Sequence, residues 1–337
     1  MLCYGCFCIR WVDNCIARFI DFNFFSGKDQ SLALRLGRQE LLYGSQRLVS
    51  VRDAPNNRQS FDAARILFAN KKFKADAFFS HYVQAQNGIF DDVPTSNIAF
   101  WGAYANLNQV PILKALNFYY LGIKKKSAVY DDGKGKELRH SIGLRSYNAG
   151  KYWQYDLEAL YQFGMFNNDK ISAWTISANV SRSFDVNLQP KLGLKTELIS
   201  GDREYADGKL NTFNPLFPRG GYFGLAALIG PSNLFDIHPS IELSIAKGLI
   251  WTTDYDVFYR LSKNDGIYAV SGRLLYSGKQ TNSSHIGKQL GTSLEYTPMP
   301  FLYVRTEVNW FDTGGYLKQA GTGKDILMSG ITVTLKF

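Results

Sequence analysis

Hydrophobic and polar residues alternate with a period of two along most of the chain after residue 15. Between Phe301 and Phe311, for example, Leu302 and Val304 share one face, while Arg305 shares the other. This period predicts β-strands, because the faces of a helix repeat about every 3.6 residues. We predict about fifteen strands, at residues 16–25, 31–39, 61–69, 73–82, 98–107, 113–123, 137–147, 152–164, 170–184, 190–200, 239–247, 250–262, 286–297, 300–312 and 325–337.

The length of these strands indicates a membrane rather than a soluble fold. Most span about ten to thirteen residues, whereas strands of soluble proteins average about five or six. A strand that crosses a membrane needs about nine to eleven residues. Aromatic residues also gather near strand ends, as in an interfacial girdle, namely Trp101, Tyr119, Tyr120, Trp153, Trp174, Trp251 and Trp310. We predict an all-β, antiparallel transmembrane β-barrel; a soluble sandwich with aromatic edges is the alternative.

The connections between the predicted strands alternate between short and long. Short periplasmic turns and long extracellular loops are the arrangement of outer-membrane barrels. The short connections are 70–72, 148–150, 247–248 and 297–300, and the long ones are about 40–60, 83–97, 124–136, 201–238, 263–285 and 313–324.

Composition fits this fold. The 337 residues are 45% hydrophobic and 15% aromatic, and no run of about 20 apolar residues suggests a membrane helix. Because barrel strands alternate between lipid and lumen, their mean hydropathy, here -0.18, resembles that of a soluble protein.

The net charge is +9, from 38 basic and 29 acidic residues. A basic chain can attract nucleic acid, an anionic membrane surface or an anionic solute, or it can carry its excess charge on solvated loops. No nucleic-acid-binding motif accompanies the charge, so we expect no nucleic acid partner.

The first fifteen residues differ from the rest of the chain. They hold all four cysteines, Cys3, Cys6, Cys8 and Cys15. The Cys3–Cys6 spacing suits a metal, but no second pair completes a site. The segment also lacks the basic and apolar regions of a signal peptide. We therefore predict that residues 1–15 lie outside the fold, that 16–337 form the barrel, and that the start is truncated or misread.

The final strand, 325–337, places Ile331, Val333, Leu335 and Phe337 on one face. A last strand that ends in Phe resembles the recognition signal of the outer-membrane assembly machinery. Bacterial barrels have even numbers of strands. Counting back from Phe337, segment 16–25 descends to the periplasm, so an ascending strand is expected before it.

Two blocks of sequence resemble the alginate export family of outer-membrane porins. The first is Leu36–Leu48 with Asn57–Asp62, and the second runs from Gly314–Lys318 through Gly323–Asp325 to Phe337. Tyr268–Leu274 is also similar, and the resemblance implies a long extracellular loop there rather than a hairpin. The family implies a monomeric barrel of about eighteen strands, of which about 15 to 16 are present here. It also implies a Gram-negative outer-membrane location and an arginine-rich constriction that passes an anionic polyuronate.

A passive pore that favours anions needs Arg or Lys in its lumen, because these cations lower the barrier for an anion and Arg binds carboxylates bidentately. We predict a diffusion porin for an anionic saccharide or a similar small anionic solute. The candidate pore-lining residues are Arg35, Arg65, Arg139, Arg145, Lys195, Arg260 and Arg305, by alternation, and Arg38, Arg47, Arg52 and Arg58 in a loop that could fold into the pore.

Several alternatives remain open. The predicted lumen also contains carboxylates, so its charges could instead form pairs that brace the wall: Asp156, Glu158, Glu197, Glu242, Asp254, Asp256, Glu295 and Glu307. A barrel with structural or adhesive loops is a second function. A hydrolase is a third, but His140 has no persuasive serine partner in Ser141 or Ser146. We expect no enzyme activity, cofactor or metal; Asp131–Gly133 and Asp91–Asp92 could bind calcium, but turn chemistry explains them equally well.

Overall fold

The computed structural model describes residues 17–52, 58–86, 91–111, 113–224 and 226–336, together with the backbone of two strands near the start. Within these residues, eighteen strands form one sheet and two form a separate hairpin. A short helix, α1 (Gly315–Ala320), and a 3-10 turn, Gly278–Gln280, lie in connections. The strands are β1 (Leu2–Tyr4), β2 (Phe7–Asp13), β3 (Arg18–Ser26), β4 (Gln30–Gln39), β5 (Phe61–Asn70), β6 (Phe73–Gln84), β7 (Val93–Val110), β8 (Lys114–Tyr130), β9 (Gly133–Ala149), β10 (Trp153–Phe166), β11 (Asp169–Ser183), β12 (Lys191–Ile199), β13 (Lys209–Leu210), β14 (Leu234–Ala246), β15 (Leu249–Tyr259), β16 (Ile267–Tyr268), β17 (Leu274–Tyr276), β18 (His285–Met299), β19 (Leu302–Thr313) and β20 (Ile326–Leu335).

The long strands follow one another as an antiparallel meander. From β2 to β12 each strand pairs with its successor, and β12 then pairs with β14, β14 with β15, β15 with β18, and β18 to β20 in order. The short β13 is different, because it pairs in parallel with β11. Fifteen described strands have nine or more residues, and each overlaps one of the fifteen predicted strands. The prediction of an all-β, antiparallel transmembrane barrel is confirmed.

The sheet also extends toward the start of the chain. The backbone of β2 pairs antiparallel with β3, and β1 pairs with β2. The ascending strand that parity requires before β3 is therefore present as β2, within the Cys-rich segment. The division of the chain into a separate segment 1–15 and a barrel 16–337 stays a prediction, since side chains of residues 1–16 lie outside the described residues.

The outer face of the sheet carries exposed apolar side chains. On β20, Leu327, Ile331, Val333 and Leu335 are 60 to 76% exposed, as expected of side chains that face lipid. Among the described residues no helix is both long and apolar enough to cross a membrane. Phe337 lies outside the described residues, so its predicted place on the lipid face stays a prediction.

Two details of the sequence interpretation were wrong. The predicted long loop 124–136 is instead a hairpin, in which β8 and β9 continue to a tight turn at Asp131–Asp132. The lysine-rich segment looked like a loop, but Tyr130 packs inward at its tip and donates a hydrogen bond to Glu137 at 2.8 Å. Tyr119, predicted for the interfacial girdle, faces the lumen and is only 1% exposed.

Residues 260–284 connect β15 to β18. This long loop contains Tyr268–Leu274, where the resemblance implied a loop and the alternation suggested a hairpin. The structure has both, because β16 and β17 form a small antiparallel hairpin within the loop. Tyr268 is buried and donates a hydrogen bond to Asp265 at 2.6 Å.

Candidate functional site: the constricted lumen

Two connections fold into the barrel, and we call their described residues the inward loops: residues 40–52 and 58–60, between β4 and β5, and residues 200–224 and 226–233, between β12 and β14. They pair with each other, because Val49 and Phe217 form a parallel β-bridge. Ser50 N donates to Phe217 O at 2.9 Å, and Phe217 N donates to Leu48 O at 2.8 Å. These bonds satisfy backbone groups that would otherwise be buried without partners.

Apolar packing holds the inward loops against the wall. Phe217 lies 5.0 Å from the ring of Phe61 and 5.0 Å from that of Phe100, in edge-on contacts between centroids. Leu41 and Val49 are completely buried beside them. Large aromatic rings contribute most of the stabilisation in such a core. The upper lumen, on the long-loop side, is therefore narrowed by a hydrophobic core that the barrel's own loops form.

A buried polar cluster on the wall, which we call the loop clamp, comprises Glu137, Arg139 and Gln162. Arg139 is fully buried and donates to Glu137 Oε1 at 2.5 Å, to Gln162 Oε1 at 2.8 Å and to Thr212 O at 3.1 Å. Asn214 N donates to Gln162 Oε1, and Gln162 Nε2 donates back to Asn214 O. The wall thereby fixes residues 212–214 of the inward loop through both backbone and side-chain groups.

Arg47, at the tip of the first inward loop, reaches across to the wall. Its Nε donates to the Tyr222 hydroxyl at 2.9 Å, and its guanidinium lies 3.8 Å from Glu158 and 3.7 Å from Glu197. Burial opposes the charged form, but Glu197, Tyr222 and Glu158 outweigh it and raise the pKa of Arg47 above its usual value. Tyr119 also donates to Glu158, at 2.5 Å. Arg47 is thus a permanent cation between two carboxylates at mid-barrel.

Below the inward loops, toward the short turns, the lumen widens into two polar cavities that we call the lower vestibule. One, of about 350 Å³, is lined by Arg145 and Asp156, whose side chains pair at 2.6 Å, and by Lys191 and Glu242. The other, of about 530 Å³, is lined by residues that include Arg35, Asp21, Arg65 and Asp76. Both cavities are therefore lined by basic and acidic side chains together.

The strand register places six of the seven candidates predicted by alternation on the inner face, whereas Arg260 follows the end of β15. Apart from Arg139 of the loop clamp, four of these arginines pair with carboxylates. The pairs are Arg35 with Asp21 at 2.7 Å, Arg65 with Asp76, Arg145 with Asp156, and Arg305 with Glu307 at 2.8 Å. Lys195 lies 3.2 Å from Glu197. Arg260 differs, because it donates to backbone carbonyls of the 260–284 loop, including those of Thr281 and Ser283.

The structure does not bring all four loop arginines into the lumen. Arg38 lies on the face of β4 opposite to Arg35, and its Nε donates to Asp62 at 2.9 Å. Arg58 is exposed and lies 2.6 Å from Glu40. Arg52 has a left-handed backbone (φ 56°) next to the first inward loop's pairing with Phe217. Of the four, only Arg47 is central to the constriction.

Sequence reasoning missed the second inward loop and its arginine. Residues 201–238 were interpreted as a polar extracellular loop, yet residues 212–218 are all buried. The run from Phe213 to Phe223 contains four aromatic residues and was the available signal, since a segment that apolar rarely covers a surface. Arg219 lies within this run, and its exposed guanidinium donates to Tyr222 O at 3.2 Å.

The outer loops meet at two buried carboxylates. Asp202 N donates to Asp265 Oδ2 at 2.8 Å, and Thr212 donates to the same atom at 2.6 Å. Burial, together with the nearby charge of Asp265, raises the pKa of Asp202 to about 7, despite a hydrogen bond from Asn211 N. Burial also raises the pKa of Asp265 to about 6.

His140, the histidine considered for hydrolase chemistry, lies on the outer face. Its Nδ1 is 2.7 Å from the Tyr120 hydroxyl, and its ring stacks on Phe163 with a centroid distance of 5.3 Å. Ser141 is buried on the opposite, inner face, where its hydroxyl accepts from Gln162. These positions do not form a Ser–His pair.

The meander, the lipid-facing strands and the loop-constricted lumen define an outer-membrane β-barrel channel. The chain belongs to the alginate export family, whose model matches residues 13–325. Its location is the outer membrane, in contact with lipid. No curated protein sequence matches the chain.

Several solved porins share the fold. OpdK of Pseudomonas aeruginosa, in a structure with vanillate, is 14% identical with a TM-score of 0.59, over 95% of this chain and 78% of that one. OpdO of Pseudomonas aeruginosa is 13% identical (TM-score 0.58, 94% and 78% covered). OccAB1 of Acinetobacter baumannii is 14% identical (TM-score 0.57, 94% and 76% covered). At this identity the likeness concerns the barrel architecture alone.

Proposed function

We propose that the protein is a diffusion porin for a small anionic solute, of which a carboxylate-bearing saccharide is the best candidate. Family membership supports a channel. The observation that carries the preference for anions is Arg219, an exposed guanidinium on an inward loop with no carboxylate within 4.0 Å among the described residues. Its backbone N donates to Gln46 O at 3.1 Å, which places it beside the tip that carries Arg47.

Arg219 matters for the preference for anions because the other arginines of the lumen wall are paired with carboxylates. An arginine that already binds a carboxylate contributes little net field, because the two charges form a compact dipole. Arg145 with Asp156 and Arg35 with Asp21 therefore line the lower vestibule without making it strongly positive. Lys74, on the inner face near the periplasmic turns, is a second base without a carboxylate pair among the described residues. Anions would meet Lys74 in the vestibule and Arg219 at the constriction.

Reversal potentials across planar bilayers under a salt gradient test this proposal. The purified protein is expected to conduct and to prefer Cl⁻ over K⁺, and Arg219→Gln is expected to reduce that preference. Arg203→Gln is the matched control, because Arg203 is exposed at the start of the same connection, next to Asn264 of the outer loops. Cation preference in the wild-type channel would refute the anionic solute, and an intact barrel without conductance would favour a structural or adhesive role.

The remaining expectations about partners are proposals of the same kind. We propose that the protein acts as a monomer, that it has no catalytic activity, and that its last strand is recognised by the outer-membrane assembly machinery. The apolar outer face of β20 supports the last point, because Leu327 and Ile331 there are the most exposed large hydrophobic residues described.

A further inference from the structure

We propose that the barrel wall holds a divalent transition-metal ion, such as Zn²⁺, between Asp236, His238 and Asp256 on the inner faces of β14 and β15. Their ligand atoms, one from each residue, all lie within 4.8 Å of one another. The expectation of no metal was based on sequence spacing, which does not show a site assembled across two strands.

The strongest indication is an unpaired buried carboxylate. Asp236 is 0% exposed, and neither of its oxygens accepts a hydrogen bond from any described residue. Asp256 is also 0% exposed, and both of its oxygens lack a hydrogen bond. A buried carboxylate without a partner costs several kcal/mol or more, so buried charges are normally paired or bound to metals. Two buried carboxylates side by side, of which Asp236 has no partner among the described residues, favour a cation between them.

The neighbouring cations are committed elsewhere. Lys195 lies 3.2 Å from Glu197, the residue opposite Asp236 in the register. Arg47 is shared between Glu197 and Glu158. Glu197 further accepts from the Tyr222 hydroxyl at 3.0 Å. These contacts satisfy Glu197 and leave Asp236 without an ion pair among the described residues.

His238 has the geometry of a metal ligand with a supporting carboxylate. Its Nδ1 lies 2.5 Å from Asp256 Oδ1, without the alignment of a hydrogen bond, while its Nε2 lies 3.3 Å from Asp254 Oδ2. Histidines that bind a metal through one nitrogen usually donate the other N–H to a carboxylate. Asp254 would serve that purpose, leaving Nδ1 to share the ion with Asp236 and Asp256.

The ligand set and access indicate the class of metal. One imidazole and two carboxylates suit a borderline cation such as Zn²⁺, whereas Ca²⁺ and Mg²⁺ prefer oxygen ligands alone. Ligand atoms about 2.0 to 2.2 Å from a zinc ion stand about 3 to 4 Å apart, so small side-chain shifts complete the site. The side chains of His238 and Asp254 are 17% and 26% exposed, which provides a path from the lumen.

Metal binding to the full-length protein in detergent tests the proposal, with Co²⁺ as a spectroscopic probe and Zn²⁺ titrated by calorimetry after chelator treatment. The four cysteines are first replaced by serine, so that Cys3 and Cys6 cannot contribute a site, and no histidine tag is used. We expect one Co²⁺ per chain with visible ligand-field bands. Zn²⁺ should displace it, and excess Ca²⁺ should not.

The variants locate the site. Asp236→Asn and His238→Gln should each weaken binding at least about tenfold, and Asp254→Asn should weaken it about 10- to 100-fold. Asp156→Asn is the control, since Asp156 faces the same lumen but pairs with Arg145, and it should bind as the parent does. Heat-modifiable electrophoresis confirms that each variant is folded; Asp236→Asn removes an unpaired charge and should fold at least as well. The proposal is overturned if the cysteine-free protein binds no Co²⁺, or if Asp236→Asn and His238→Gln both bind it as the parent does.

Discussion

Substitution of Arg139 by Met is expected to release the inward loop 200–233 from the wall. Arg139 and Glu137 both have 0% exposed side chains and lie 2.5 Å apart, and the guanidinium also holds Thr212 O. Methionine is of similar length but removes the charge, which leaves Glu137 buried with only Lys125, 4.0 Å away, to compensate it. Breaking a buried ion pair from one side costs about 3 to 5 kcal/mol.

The expected cost is large enough to measure. At roughly 2 °C per kcal/mol, the Tm in detergent should fall by about 6 to 10 °C, followed by intrinsic fluorescence on heating. Because Thr212 loses a donor from the wall, the loop should also move, and single-channel recordings should show a larger and noisier conductance. Arg203→Met, at an exposed arginine of the same connection, is the matched control and should leave both quantities unchanged.

A second variant distinguishes two causes of the lost stability: the uncompensated buried charge of Glu137 and the lost hydrogen bonds of Arg139. In Glu137→Gln/Arg139→Met no charge remains at the clamp, so the double variant should be more stable than Arg139→Met alone, although Asn214 Nδ2 still loses its carboxylate acceptor. If Arg139→Met melts and conducts like the wild type, the clamp does not hold the loop. If the double variant is less stable than Arg139→Met, the uncompensated charge of Glu137 is not the cause of the lost stability.

Two further predictions concern the outer loops and the lumen wall. Burial raises the pKa of Asp202 to about 7, whereas the unfolded value is about 3.9; the native state therefore binds more protons between about pH 4 and 7, and stability should fall as the pH rises through this range. Asp202→Asn should flatten the dependence of Tm on pH, and an unchanged slope would contradict the assignment. An added Cβ at Gly143 would collide with the ring of Tyr119. Gly143→Ala should therefore displace the Tyr119 hydroxyl from Glu158 and lower the free energy of unfolding by about 1 to 3 kcal/mol, as measured by thermal unfolding. Gly330→Ala is its control, because the nearest atom there, Glu307 Cγ, is at 3.7 Å; equal losses at both positions would refute the argument.

The barrel itself could be predicted because each strand carries its own signal. Alternation along β10 or β19 is a local property, and the register then follows from which face must meet lipid. The extension of β8 and β9 past the predicted bounds was not visible in the same way. Lys124 to Lys126 look like a solvated loop, and only Tyr130, packed on Phe166 and Tyr268, explains why the hairpin continues.

The candidate site was harder to predict, because it depends on contacts between distant segments. Alternation placed Arg139 and Arg145 on the inner face, but it could not show that Glu137 and Asp156 neutralise them. Nothing local indicates that residues 212–223 enter the lumen, apart from their apolar composition. The meeting of Asp236 and Asp256 depends on the pairing of β14 with β15, which a sequence alone does not specify.

The lumen has a packed upper half and an open lower vestibule, and packing constrains side-chain substitutions differently in the two parts. Around Phe61, Phe100 and Phe217, a change of one side chain disturbs a core, as in a soluble domain. Around Arg145, Lys191 and Glu242, side chains border a cavity and can be exchanged at little cost to packing. The barrel could therefore acquire a new solute preference, by natural variation or by design as a sensing nanopore, through its periplasmic half while its loops stay as they are.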